Sequence, residues 1–190
     1  MQLYLSGAAF ACLVVLIGGR SLFLYKKGIR AIVFGRTDKS DFLLLPVVMF
    51  LAYSLISGIA GLPMWPPLVR PFWSTTAPGW AGLVLCAIAV SGIAYGLKSF
   101  RDSFRVGIDE SKPDTLITSG AFAISRNPLY VCFILFVLGQ FLIHRNIIIA
   151  GALVLVPIAI HRQILREEVF LKDHYGVAFE EYCKKVRRYL

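Results

Sequence analysis

Arg126, Arg162, Arg166, Glu167 and Glu168 fall within a turn or two of the ends of an apolar stretch, Leu129–Ile160. Ionisable groups beside hydrocarbon are costly, which makes them functional suspects. An amphipathic helix lying on anionic lipid would account for the Lys and Arg of the tail. It does not account for the adjacent carboxylates of Glu167 and Glu168, which anionic lipid repels. An arginine there can pair with an anionic group through charge-assisted hydrogen bonds. A carboxylate there can accept from hydroxyls or attract a cation. Other chemistries lack their residues. No Gly-x-Gly-x-x-Gly follows a strand pattern, no Gly-x-x-x-x-Gly-Lys-Ser/Thr run occurs, and no nucleophile elbow occurs. His144, His161 and His174 are scattered, and Cys12, Cys86, Cys132 and Cys183 have no metal or disulfide spacing, so no metal is expected.

These groups must be positioned by helices. The chain has 190 residues, 57% of them hydrophobic and only 16% charged, which excludes an ordinary soluble domain. Three apolar runs, roughly Leu3–Leu24, Phe42–Leu62 and Trp80–Leu97, each approach the roughly 20 residues that cross about 30 Å of hydrocarbon. The first has no preceding Lys or Arg and reads as a retained helix. The fourth stretch is interrupted by His144, Arg145 and Asn146. Its two arms, of about 15 residues or roughly 22 Å each, are short for a span. Either they extend into their polar flanks, or they form a hairpin that does not cross. His161–Asp173 reads as a helical continuation of the second arm, with Gln163, Glu167 and Phe170 on one face. Gly176 is a plausible stop, and Val177–Val186 reads as a further short helix. The expectation is an all-α integral membrane protein, one membrane domain over 1–190, with about five transmembrane helices. Three of them lie in 1–98, and a C-terminal hairpin, 129–160, lies within a catalytic region, 99–190.

The net charge is +9. Placed on the alternating loops, 18 of the basic residues fall on one side and only Arg70 and Arg145 on the other. The positive-inside rule makes the 18 cytoplasmic, so the N-terminus is outside and the C-terminus inside. The bilayer is therefore the partner that the charge implies, and no nucleic acid is expected. Trp65, Trp73 and Trp80 read as an outer interfacial belt. Gly92 and Gly96 make a small-xxx-small spacing.

The stretch Thr115-Leu-Ile-Thr-Ser-Gly-Ala-Phe-Ala-Ile-Ser-Arg-Asn-Pro-Leu-Tyr130 resembles the cofactor segment of the isoprenylcysteine carboxyl methyltransferases and the related phospholipid methyltransferases. Their usual form is a Gly-x-Tyr turn followed by Arg-His-Pro-x-Tyr. The tail, from Glu167-Glu168 through Tyr175-Gly176 to Tyr182 and Val186, resembles that family's closing pattern. Together these cover about the last 90 residues; the first three helices match only in being apolar. The resemblance implies S-adenosylmethionine as cofactor, held by Leu116, Ile117, Phe122, Asn127, Pro128, Leu129, Tyr130 and Glu167. It places an acceptor-binding Arg four residues before the first Glu, where this chain has Gln163. Arg162 or Arg166 then takes that role, and Arg166 and Glu167 are the residues assigned to catalysis. Phe122 stands for the family's Tyr and Asn127 for its His.

Methyl transfer fits this position. The cofactor is polar and comes from the cytosol, while a prenylated or lipid acceptor comes from the bilayer, and the two meet at the hairpin mouth. Transfer from a sulfonium is an in-line displacement in which holding the reactants is most of the work. A carboxylate acceptor is already ionised at neutral pH and needs only partial desolvation and an Arg partner. An amine must first lose a proton, and Asn127 cannot serve as base. An isoprenylcysteine-like carboxylate is therefore the expected acceptor, with a phospholipid amine as alternative. The hairpin region also resembles the ends of membrane sterol reductases, which would mean NADPH and hydride transfer. A non-enzymatic membrane scaffold is the remaining reading.

Overall fold

The computed structural model describes residues 1–26, 44–100 and 116–190. Its described elements are α1 (Gln2–Lys26), α2 (Leu44–Ala60), α3 (Pro66–Val69), α4 (Ala77–Ser99), a single 3-10 turn (Gly120–Ala123), α5 (Pro128–His144), α6 (Ile147–Tyr175) and α7 (Val177–Lys185). Among the described residues there is no strand, and the protein is all-α as its composition requires. The expected runs overlie α1, α2 and α4, and the broken fourth stretch becomes α5 and α6. Among the described residues α1, α4 and α6 are long and apolar enough to cross a membrane, and α5 is a shorter apolar helix. Val14, Val15 and Leu22 on α1, Val84 and Ile88 on α4, and Val154, Leu155 and Ile158 on α6 are exposed. Apolar surface of that extent has no stable place in water and suits lipid.

The second arm of the hairpin extends into its polar flank. α6 runs for 29 residues, through Pro157, to Tyr175. Gly176, at φ +50°, ends it, and the Gly176 amide donates back to the Lys172 carbonyl. The polar residues of His161–Tyr175 are thus carried rigidly out of the apolar layer on the same helix.

The first arm lies antiparallel along α4. A Cβ on Gly82 would stand 2.5 Å from the Gly139 carbonyl oxygen, one on Gly92 would stand 2.5 Å from Cys132 Sγ, and one on Gly96 would stand 2.6 Å from Leu129 Cδ2. Small residues let the two backbones touch, and the packing continues through Cys86, Ala89, Ile93, Phe136 and Ile143. The match follows α4 from Gly82 to Gly96, so α5 covers most of its thickness. The hairpin tip then meets the loop before α4, where the Phe72 amide donates to the Arg145 carbonyl (2.8 Å) and the Arg145 guanidinium donates to the Thr75 carbonyl. At the same end, the Gln2 side chain donates to the Thr76 carbonyl (3.0 Å). Arg70 and Arg145, the two basic residues set apart by the charge count, therefore sit at one end of the bundle. Within the Trp belt, Trp65 is exposed, whereas Trp73 packs edge-on against Phe141 at 5.7 Å.

The α4–α5 contact sets up a clean substitution test. Gly82→Ala pushes a methyl into backbone that cannot rotate away, so we expect it to destabilise the protein by about 1–3 kcal/mol. Gly18 on α1 has nothing within 4 Å of its Cβ position. Gly18→Ala should be neutral or stabilising, because alanine is the better helix former. Thermal melting of both variants in detergent checks the contrast, and equal midpoints would refute the packing account.

Candidate functional site

The chain enters the site at Leu116 and turns at Gly120, whose φ of +65° and whose approach to Ser99 leave no room for a side chain. Ser99 Oγ accepts from the Ala121 amide (3.1 Å) and donates to the Tyr95 carbonyl (2.9 Å), which fastens the 3-10 turn to the end of α4. Phe122 is then buried edge-on against Phe100, with ring centroids 4.5 Å apart. Leu116 and Ile117 pack around Phe122 together with Phe179 and Tyr182 of α7. The Tyr182 hydroxyl donates to the Phe122 carbonyl at 2.7 Å. Burial pushes that phenol up to about 12, from an ordinary 10.0, against the opposing charge of Arg126.

Two consequences follow for Tyr182. The proton is held more tightly in the folded state, so its contribution is complete below about pH 10 and is lost as pH rises through about 12. Tyr182→Phe should cost about 1 kcal/mol at neutral pH. It should also reduce the loss of stability between those two pH values. Melting curves of both proteins across that range measure it, and parallel pH profiles would contradict it.

Beyond the turn, residues 125–127 are bound to the C-terminal segment. The Arg126 amide donates to the Arg187 carbonyl (3.0 Å), and the Asn127 side-chain amide donates to the Arg188 carbonyl (3.0 Å). Ser125 Oγ accepts from the Asn127 amide (3.0 Å) and donates to the Arg188 carbonyl (3.4 Å). Asn127 stands at the N-cap of α5 but makes no side-chain cap bond there, since its amide is turned to the tail. Pro128, with no amide hydrogen to satisfy, opens α5.

The two glutamates of α6 face different partners. Glu167 Oε1 accepts from the Tyr130 hydroxyl at 2.6 Å and from Gln163 Nε2 at 3.0 Å. The Gln163–Glu167 bond is the one-turn contact that the shared helix face anticipated. Glu168 is clamped between two arginines. Arg126 Nη2 lies 3.0 Å from Oε1, while Arg188 Nε and Nη2 reach Oε2 at 3.0 and 2.7 Å. The Arg126 and Glu168 side chains are only 12% and 13% exposed, against 37% for Arg188. The hydrogen bonds that it donates to Glu168 hold the Arg188 guanidinium still more firmly protonated.

Of the residues assigned from sequence, Tyr130, Gln163 and Glu167 are therefore brought together, and Leu116, Ile117 and Phe122 form one apolar wall. Asn127 is buried between that wall's chain and the tail. Leu129 lies against Gly96 and belongs to the α4–α5 packing. Arg166 is half-buried, and Arg162 is exposed. Arg188 was not assigned. Its only sequence signal is a place in the basic tail, which charge counting reads as a membrane-facing cluster. Among the described residues, no three His, Cys, Asp or Glu side chains stand together to hold a metal ion.

A family profile described as phospholipid methyltransferase matches residues 78–178, from the start of α4 to the start of α7. The cobalt-zinc-cadmium resistance protein CzcN of Cupriavidus metallidurans is 33% identical over 82 residues, covering 43% of this chain and 36% of the relative. The chain thus spans about a third of the length of that curated relative. No solved structure matches it.

Proposed function

The chain belongs to the phospholipid methyltransferase family, and on that premise we propose that it is an integral membrane, S-adenosylmethionine-dependent methyltransferase acting on a lipophilic acceptor. The observation that carries the reading is the bond between the two halves of the site: Tyr130, at the start of α5, donates to Glu167 on α6 at 2.6 Å. This links the loop before the hairpin to the helix after it, where a cytosolic cofactor and a membrane-borne acceptor can meet. The apolar wall of Leu116, Ile117 and Phe122 suits a flat base, and Asn127, Tyr130 and Glu167 suit the polar remainder. Tyr130 and Gln163 both donate to Glu167 Oε1 and orient the carboxylate. Leu116, Ile117, Phe122, Asn127, Pro128, Leu129, Tyr130 and Glu167 would hold the cofactor. When bound, S-adenosylmethionine supplies the electrophilic methyl group. The protein's work is to orient and to exclude water. The charge count supports a cytoplasmic position for this end of the bundle and the C-terminus, with the N-terminus outside.

An isoprenylcysteine-like carboxylate is the acceptor that needs least from the residues present. It requires no base, and Asn127 offers none, its amide being committed to the Arg188 carbonyl. Arg166, half-buried on the turn beside Gln163, or exposed Arg162, would pair with it; Gln163 itself already donates to Glu167. The family description favours a second reading, a phospholipid amine, for which Glu167 would have to take the proton. Methyl-labelled S-adenosylmethionine, given to the detergent-purified protein with a farnesylated thiol acid or with phosphatidylethanolamine, separates them. We expect label in the acid as a base-labile ester that releases methanol, with Arg166→Ala raising the acceptor's KM. Label retained in phosphatidylethanolamine, with the acid inert, would select the amine. No transfer to either acceptor would count against both.

A further inference from the structure

At the far end of the bundle from Glu167 and Glu168 lies a cavity of about 520 Å³. It is separated from the Tyr130–Glu167 contact by the rise of α5 from Tyr130 to His144, roughly 21 Å at 1.5 Å per residue. Ser54, Thr76, Arg145 and Asn146 line it, and among the described residues no Asp or Glu does. Ser54 is 3% exposed, and among the described residues its hydroxyl has no hydrogen-bond partner. The neighbouring buried polar groups satisfy one another. Cys86 Sγ donates to the Phe136 carbonyl (3.8 Å) and receives Gln140 Nε2 (3.7 Å), which turns Gln140 Oε1 toward the Ser6 hydroxyl (2.7 Å). Ser6 Oγ also lies within hydrogen-bond distance of His144 Nε2 (3.0 Å). Ser57 Oγ donates to the Ser54 carbonyl (2.9 Å), and Asn146 caps α6 by accepting from the Ile149 amide (3.1 Å). Ser54 is the exception in this set, and a buried hydroxyl with no partner costs stability unless something completes it.

The electrostatics indicate what would complete it. Three long helices begin at this cavity: α1 at Gln2, α4 after Thr76 and α6 after Asn146, and all three of these residues line it. Helix N-termini carry partial positive charge and favour anions. The C-terminal ends of α2 and α5 reach the same level, and the Arg145 guanidinium offsets them. We propose that this cavity binds a phosphate group, the chemistry shared by a phospholipid headgroup from the leaflet at this end and by a free phosphate. Arg145, the Ser54 hydroxyl and the converging helix ends are its donors. The site stands apart from the methyl-transfer site and is independent of it.

The full chain, purified and delipidated in detergent, is titrated with dioleoyl phosphatidylglycerol, with dioleoylglycerol and with inorganic phosphate, and binding is read by native mass spectrometry and by melting midpoint. Saturable binding of the phosphatidylglycerol but not of dioleoylglycerol supports a lipid source. Saturable stabilisation by millimolar inorganic phosphate supports a free one. Ser54→Ala removes no native hydrogen bond, so without ligand it should melt at or above the parent's midpoint, yet it should weaken phosphate binding about fivefold or more. Arg145 has φ +44°, and Arg145→Asn keeps a residue type that tolerates that conformation; it should weaken binding about tenfold or more. The proposal is overturned if neither phosphate-bearing probe binds saturably, if dioleoylglycerol binds as well as phosphatidylglycerol, or if both variants bind like the parent.

Discussion

Glu168→Ala should lower the stability of the protein by about 2–3 kcal/mol and free its C-terminal residues. Among the described residues Glu168 is the ion-pair partner of both Arg126 and Arg188, and Arg126 is nearly buried with its Nε atom unpartnered. Removing one member of a buried ion pair leaves the other charged and desolvated, at a cost of about 3–5 kcal/mol in fully buried cases. The estimate here is smaller because Arg188 is 37% exposed and water can reach it. Once Arg188 is released, the bonds from Asn127 and Ser125 to its carbonyl lose their support. We therefore expect a melting midpoint lower by about 5–10 °C and faster tryptic cleavage after Arg188. Glu168→Gln should fall between, because it keeps an acceptor and loses the charge. A midpoint within a degree of the parent's, with unchanged cleavage, would show that the clamp is not a structural element.

Glu167→Gln should leave the midpoint nearly unchanged and reduce methyl transfer by about 30-fold to 1000-fold, equivalent to about 2–4 kcal/mol of lost transition-state stabilisation. Glutamine keeps the shape and can still accept from Tyr130, while the charge is withdrawn. If the carboxylate does no more than bond along its own helix, an effect near 0.3–0.5 kcal/mol is expected instead, or roughly twofold in rate. Tyr130→Phe separates fixing from charge. It removes the hydroxyl that holds Oε1 and leaves the carboxylate, so it should reduce transfer less than Glu167→Gln. Calorimetric titration with S-adenosylhomocysteine, beside the transfer assay, tells binding from turnover. Parent-like affinity and rate in Glu167→Gln would place the reaction elsewhere.

Much of the architecture could be read along the chain. Four apolar stretches become α1, α2, α4 and the α5–α6 hairpin, because the length of an apolar run and a break such as His144–Asn146 are properties of consecutive residues. The polar continuation of α6, its end at Gly176 and the separate α7 were legible for the same reason, as was the Gln163–Glu167 contact, which needs only one helical turn. Residues 27–43 and 101–115 lie outside the described residues, and with them the basic residues between α1 and α2 and part of the irregular segment before the 3-10 turn.

What the tail does was not legible. Asn127 reaches the carbonyl of Arg188 across 61 positions, and Glu168 reaches Arg188 across 20. Charge counting could place Arg188 on a side of the membrane, but it could not say which carboxylate it would meet. Gly92 and Gly96 stood out by their spacing, whereas Gly82 and Gly139, whose backbones touch, have no shared pattern. Nor did any spacing announce the Ser6–Gln140–His144 network, joined across more than 130 positions.

Consecutive residues were enough to specify an all-α chain with membrane-length apolar helices, a hairpin and a polar end rich in Arg and Glu, because hydropathy and helical period act over neighbouring residues. Long-range packing settled that Tyr130 and Gln163 hold Glu167, that Arg126 and Arg188 hold Glu168, and that Leu129 lies against Gly96 of α4. Those outcomes depend on which faces of distant helices meet, and that is settled by close packing and by the pairing of buried polar groups, neither of which has a period along the chain.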